Sequence, residues 1–192
     1  MQTTIRALFV GMLAALVFLD SSPSAQTSGQ REEFTAIGIA NDDLGSGAGT
    51  IIIQVNRWST EAEQKQLINS LRVNAPEKVI DDLRRMRSVG SVRTPGTLAY
   101  DLHYSQEIPG EDGGRQILLI TDRPIGFAET WHQPPSVNYP YYVIQMQMDR
   151  ENRGTGTLSY AARIAALGKW VEIENFSTAP IKLTKIEGRK RK

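Results

Sequence analysis

The sequence predicts an α+β domain, mostly antiparallel β: a sandwich or partly closed barrel of about eight strands, with a helical pair inserted after the second strand. Three observations lead there. Apolar residues alternate with polar ones at period two through most of the second half, as on a half-buried strand. Clusters of Gly, Pro, Asn and Asp separate these runs at close intervals. Only residues 60–87 carry helical periodicity, so the second half lacks the regularly spaced helices that parallel crossovers need.

Phe34 to Ala40 reads as the first strand, ended by Asn41-Asp42-Asp43 and the glycine run Gly45-Ser46-Gly47-Ala48-Gly49, which reads as a turn. Thr50 to Arg57 is the second strand, with Ile51, Ile53 and Val55 on one face. Thr60 and Glu63 match a capping box, in which each side chain satisfies the other residue's free backbone donor. Leu67, Ile68 and Leu71 follow at helical spacing. Pro76 suits the first turn of a second helix, whose stripe is Val79, Ile80, Leu83 and Met86. Leu98, Tyr100, Leu102 and Tyr104 then alternate with Asp101, His103, Ser105 and Glu107, placing the first set inward. Pro109 to Gly114 is a hairpin turn, and the four aliphatics from Ile117 to Ile120 imply a strand buried on both faces. Asp122 to Pro140 reads as a long proline-rich loop. Tyr142 to Met148, Leu158 to Ile164, Val171 with Ile173, and Ile181 with Leu183 supply the remaining strands.

The chain opens with Arg6, an apolar stretch from Ala7 to Leu19, and a small-residue segment from Ser21 to Ala25: the layout of a cleavable export signal, residues 1–25. Thirteen helical residues rise only about 20 Å, short of the roughly 30 Å hydrocarbon core. With no cysteine, neither a lipid-anchored terminus nor disulfides are available. The expected organisation is a flexible lead-in at 26–32, one domain at 33–187, and a basic disordered tail at 188–192. The mature chain carries no expected transmembrane segment and works in the periplasm or outside the cell. A net charge of +1 argues against a dedicated nucleic-acid binder. Arg189, Lys190, Arg191 and Lys192 offer a patch for anionic surfaces.

Taken together, Arg57-Trp58-Ser59-Thr60, Arg93-Thr94-Pro95-Gly96, Thr121-Asp122-Arg123-Pro124-Ile125 and Ile173-Glu174-Asn175-Phe176 resemble strings found in uncharacterised exported bacterial proteins. The resemblance covers most of the mature chain. It implies a shared fold and carries over no catalytic residue, since that group has no assigned activity.

Chemistry has few footholds. The Gly45–Gly49 run lacks the following helix and the Gly-Lys-Ser/Thr of a phosphate loop. Thiol catalysis is excluded and no Gly-x-Ser-x-Gly elbow occurs. The scattered carboxylates do not reveal a facing pair of the kind glycoside hydrolysis uses. Asp101 and His103 lie two apart on a strand, hence on one face, with Glu107 farther along the row and His132 as a possible third metal ligand from the loop. The same pattern also arises whenever a strand simply turns its polar residues outward.

Phe127, Trp131, His132, Tyr139 and Tyr141 crowd one proline-rich segment, and Arg123 precedes them. Flat rings held on a stiff backbone suit ligand stacking, and a forked guanidinium suits a carboxylate or phosphate; rings in this position also suit a lid over the sheet. The leading expectation is therefore a non-enzymatic exported domain that binds a ligand or an envelope partner through this loop, with no cofactor. The alternatives are a small hydrolase centred on Asp101 and His103, with or without a metal, and a structural protein of the envelope. If the leader is cleaved as expected, the intact mass of protein recovered from an exported fraction starts at Gln26; an uncut N-terminus contradicts the export assignment.

Overall fold

The structure, a computed structural model, describes residues 31–42, 45–110, 113–122, 140–175 and 179–191. Its strands are β1 (Arg31–Asp42), β2 (Gly45–Val55), β3 (Gly90–Arg93), β4 (Tyr100–Leu102), β5 (Tyr104–Pro109), β6 (Arg115–Thr121), β7 (Tyr141–Met148), β8 (Arg153–Leu167), β9 (Trp170–Asn175) and β10 (Ile181–Arg191). Between β2 and β3 lie α1 (Glu61–Val73) and α2 (Pro76–Arg85). All strand pairs are antiparallel, in the order β4-β3-β2-β1-β10-β8-β7-β6-β5, with β9 paired to β8. The fold is thus α+β and mostly antiparallel sheet, with the helical pair after the second strand.

The two ends of this path, β4 and β5, are consecutive in the chain and separated only by His103. The sheet therefore curls until its ends belong to one stretch of backbone. Val89 N–H donates to Leu102 O at 2.8 Å on one side of the joint, and His103 N–H to Ile120 O at 3.1 Å on the other. The sheet stops short of a closed barrel. Below the joint, Ser59 is stitched to Ser105 by reciprocal bonds from each backbone N–H to the other serine's Oγ, both at 3.0 Å.

Curling gives the sheet a concave and a convex apolar face. Phe34, Ile51, Ile53, Leu119, Ile144, Leu158 and Leu183 fill the concave core. On the convex face, Leu67, Val79, Leu83 and Met86 from the helical segment cover Tyr104, Leu118, Ile120, Val143 and Ile164. This is why Ile117 to Ile120 are all buried: alternate residues enter alternate cores. Thr60 and Glu63 form the expected capping box, and Pro76 opens α2. Arg57 pairs with Glu63 at 2.8 Å, tying the end of β2 to the first turn of α1.

Several local expectations are corrected. The glycine run is part of β2, with Gly49 opposite Gly38 and Ala48 opposite Ile39, because ladder bonds need only backbone. At Gly38 a Cβ would meet Ile51 Cδ1 at 2.6 Å, so any larger residue there requires the Ile51 side chain to shift. The lead-in ends sooner than expected, as Arg31 and Glu32 already belong to β1. The basic tail is ordered through Arg191: Arg191, Lys190 and Arg189 pair with Arg31, Glu32 and Glu33. Glu33 makes ion pairs with both Arg189 and Arg191, giving that run a reason to stay in the ladder. Hydrogen bonding from Arg189, opposed by burial and supported by Gln54, leaves the Glu33 carboxyl below the usual carboxylate range. Lys192 lies outside the described residues.

The strand expected from Leu98 onward begins only at Tyr100, and Leu98 is 85% exposed rather than inward. Leu83 and Leu98 make a direct comparison. Leu83→Ala should lower unfolding free energy by about 2–5 kcal/mol, and Leu98→Ala by less than about 0.5 kcal/mol, in urea titrations followed by circular dichroism.

Candidate functional site

The polar row anticipated through Asp101, His103 and Glu107 does not survive folding, because the ladder changes partners at His103 and the facing of side chains changes with it. Asp101 is exposed on β4. His103 is buried, with Nδ1 3.2 Å from Met86 O and Nε2 3.8 Å from Asp122 Oδ1. Asp122 in turn accepts from Arg84 Nε. Nδ1 is thus within hydrogen-bond reach of the Met86 carbonyl, while Nε2 and Asp122 Oδ1 face each other buried and without a hydrogen-bond partner among the described residues. Glu107 points to Arg115, at 3.4 Å. Among the described residues no three His, Asp or Glu side chains are placed to hold a metal ion.

Of the aromatic segment, Arg123, Phe127, Trp131, His132 and Tyr139 lie outside the described residues. Tyr141 is buried between β7 and α2, and its hydroxyl donates to Pro76 O at 3.4 Å. Burial, with the charge of Glu77, pushes its phenol well above the usual range. This expected ligand platform is core, because odd residues at the start of β7 face the helices. Tyr142 packs into the concave core.

The described residues instead enclose a cleft of about 960 Å³. One wall is a single stripe of α1, comprising Glu61, Gln64, Lys65, Ile68, Asn69 and Arg72 at three- and four-residue spacing. From Glu61 to Arg72 that stripe runs about 16 Å at 1.5 Å per residue. Trp58 contributes at the N-terminal end of the helix. At the C-terminal end, Arg72 donates to Gly168 O in the β8–β9 turn, bringing Trp170 alongside. Trp170 is 40% exposed, and the Lys169 ammonium sits 5.0 Å from its ring centre.

The other wall is the open mouth of the curled sheet, and Arg115 plugs it. Its guanidinium grips Glu32 bidentately, donates to Asn152 Oδ1 at 2.8 Å, and lies 5.8 Å from the Phe34 ring centre. Burial opposes the Arg115 charge, but the bonds and charges of Glu32 and Glu107 outweigh it and raise the guanidinium above its usual value. Between helix and mouth, Gln64 Nε2 donates to Ser59 O at 3.0 Å and the Tyr104 hydroxyl to Gln106 Oε1 at 3.2 Å, fixing the amides of the floor.

The acids of the cleft are committed to cations. Glu32 and Glu107 share Arg115, and Glu61 pairs with Lys65 at 2.7 Å. Two carboxylates clamped on one guanidinium suit a structural plug better than an acid/base pair that must exchange a proton with substrate. What the arrangement can do chemically is hold: a half-exposed flat ring, fixed amides and surplus positive charge along one groove.

Sequence reasoning passed over Trp58, Arg72, Arg115 and Trp170 as site residues. They come from segments with no common local pattern. The available signal was Gly168-Lys169-Trp170, a turn carrying a large aromatic that no strand face required.

Removing Arg115 tests the plug. Arg115→Ala leaves Glu32 buried and unpaired, and should lower stability by about 3–5 kcal/mol. Adding Glu32→Gln should recover much of that loss, as read from urea midpoints. Comparison with protein-family models, curated proteins and solved structures finds no match, so no residue role passes to this chain from a relative.

Proposed function

We propose that this chain is an exported, non-enzymatic binding domain whose ligand lies in the cleft along α1. The single observation that carries the reading is the composition of that cleft: about 960 Å³, with the half-exposed Trp170 toward the C-terminal end of α1 and every lining carboxylate engaged with a cation. Concave sites that mix aromatic surface with a few fixed polar groups are the usual form of a ligand site. The half-exposed Trp170 supports the same reading, because a large ring left in solvent at a groove is available for contact.

Export is supported by the charged, apolar and small-residue order of residues 1–25. No described helix is long and apolar enough to cross a membrane. The binding reading expected from sequence is kept and centred here on the cleft; the aromatic loop, Tyr141 aside, lies outside the described residues. With Asp101 exposed and His103 enclosed at the sheet joint, no observation on the described residues favours the hydrolase alternative.

Native mass spectrometry against a panel of soluble glycans, peptides and lipids tests the proposal. The expected result is a one-to-one complex that is weakened by Trp170→Ala and whose ligand is recovered unchanged after prolonged incubation. Conversion of the ligand into products would refute the non-enzymatic reading. A panel-wide lack of complexes, or a complex indifferent to Trp170→Ala, would refute the site.

A further inference from the structure

We infer that the occupant of the cleft is an elongated acidic carbohydrate, a short chain of sugar rings bearing carboxylates. This rests on the cleft being the ligand site and adds the chemistry of the ligand.

Charge supplies the first argument. The lining holds five basic residues and three acidic ones. Glu32, Glu61 and Glu107 are all committed to Arg115 or Lys65. Arg72, Lys169 and Lys190 have no carboxylate partner among the described residues; Arg72 bonds only the Gly168 carbonyl, and Lys169 lies over Trp170. Two of these cations stand at the β8–β9 turn, while Lys190 stands opposite Glu32 at the sheet mouth. Positive charge is therefore spread along the groove rather than concentrated at one point, as suits a ligand with repeated negative charge.

Shape and hydrogen bonding supply the second. The α1 wall extends about 16 Å, which fits a chain better than a single compact metabolite. Trp170, 40% exposed, provides a flat apolar surface for the face of a ring, while Trp58 is buried in the core at the other end of the helix; the exposed Asn69 amide both donates and accepts, as sugar hydroxyls do.

A peptide is the competing occupant, and it would gain most by adding a strand to the β5 edge. That edge is obstructed at Ser105 and at Pro109. The backbone N–H and C=O of Ser105 are already bonded to Ser59, and Pro109, which lines the cleft, has no N–H to offer.

The experiment is calorimetric titration of the full chain with short oligogalacturonates, with their methyl esters, which keep the rings and lose the charge, and with polyglutamate. Oligogalacturonate should bind, weaken as salt rises, and lose roughly tenfold in affinity in Trp170→Ala and in Arg72→Gln/Lys169→Gln. These residues are exposed, so unchanged circular dichroism and melting temperature should accompany the loss. Equal binding of the ester would overturn the acidic assignment while leaving the binding function intact. Tighter binding of polyglutamate, unaffected by Trp170→Ala, would replace the carbohydrate with a peptide. If none of the three binds, the inference fails; the binding function fails with it only if the wider ligand panel also yields no complex.

Discussion

The two ends of the sheet path are halves of one backbone segment, and most of the architecture follows from that constraint. Residues 100–109 pair with β3 before His103 and with β6 after it. For one segment to serve both edges, the sheet between them must curl through all its other strands. The curl separates a concave core from a convex face, and the convex face is where the helical pair finds its apolar partners. His103 occupies the point where the ladder changes sides. Its ring is fixed by Met86 and faces Asp122, while Asp122 is held by Arg84, so helical segment, joint and the end of β6 are linked through one buried imidazole.

The same curl leaves an open mouth, and the candidate site is a consequence of how that mouth is finished. A hydrophobic interior cannot end in water without a transition. Arg115 makes it by lying near Phe34 while its nitrogens satisfy Glu32 and Asn152. Because α1 passes beside this plug, its outward stripe becomes a wall instead of plain solvent-facing surface. The β8–β9 turn supplies the far end, with Arg72 anchoring Gly168 and so setting where Trp170 stands. Plug, wall and turn arise from packing demands that are individually ordinary, and their meeting produces the groove.

Much of the fold could be read from the chain. The capping box at Thr60 and Glu63, Pro76 in the first turn of α2 and the doubly buried run at Ile117 to Ile120 are local patterns with local causes. The errors also share a cause. The Gly45–Gly49 run and the Arg189–Arg191 run look like turn and tail, yet both lie in ladders, because a partner distant in sequence supplies backbone bonds that local propensity does not register. The site was far less legible: Tyr141 resembles a ligand platform in sequence but faces α2, whereas Arg115 looks like an ordinary strand-end arginine and is the plug of the mouth.

By itself the sequence determined the fold class, the position and capping of the helical pair, the two-sided burial of β6 and the leader-like order of residues 1–25. These depend on period, on cap geometry and on composition, all of which act over a few residues. Tertiary structure alone decided that His103 closes a joint instead of facing solvent, that Tyr141 is core, and that residues as distant as Glu32, Trp58, Arg115 and Trp170 line one cleft. Their proximity comes from the long-range register of a curled sheet, where a single change of partner strand reassigns which side chains face inward.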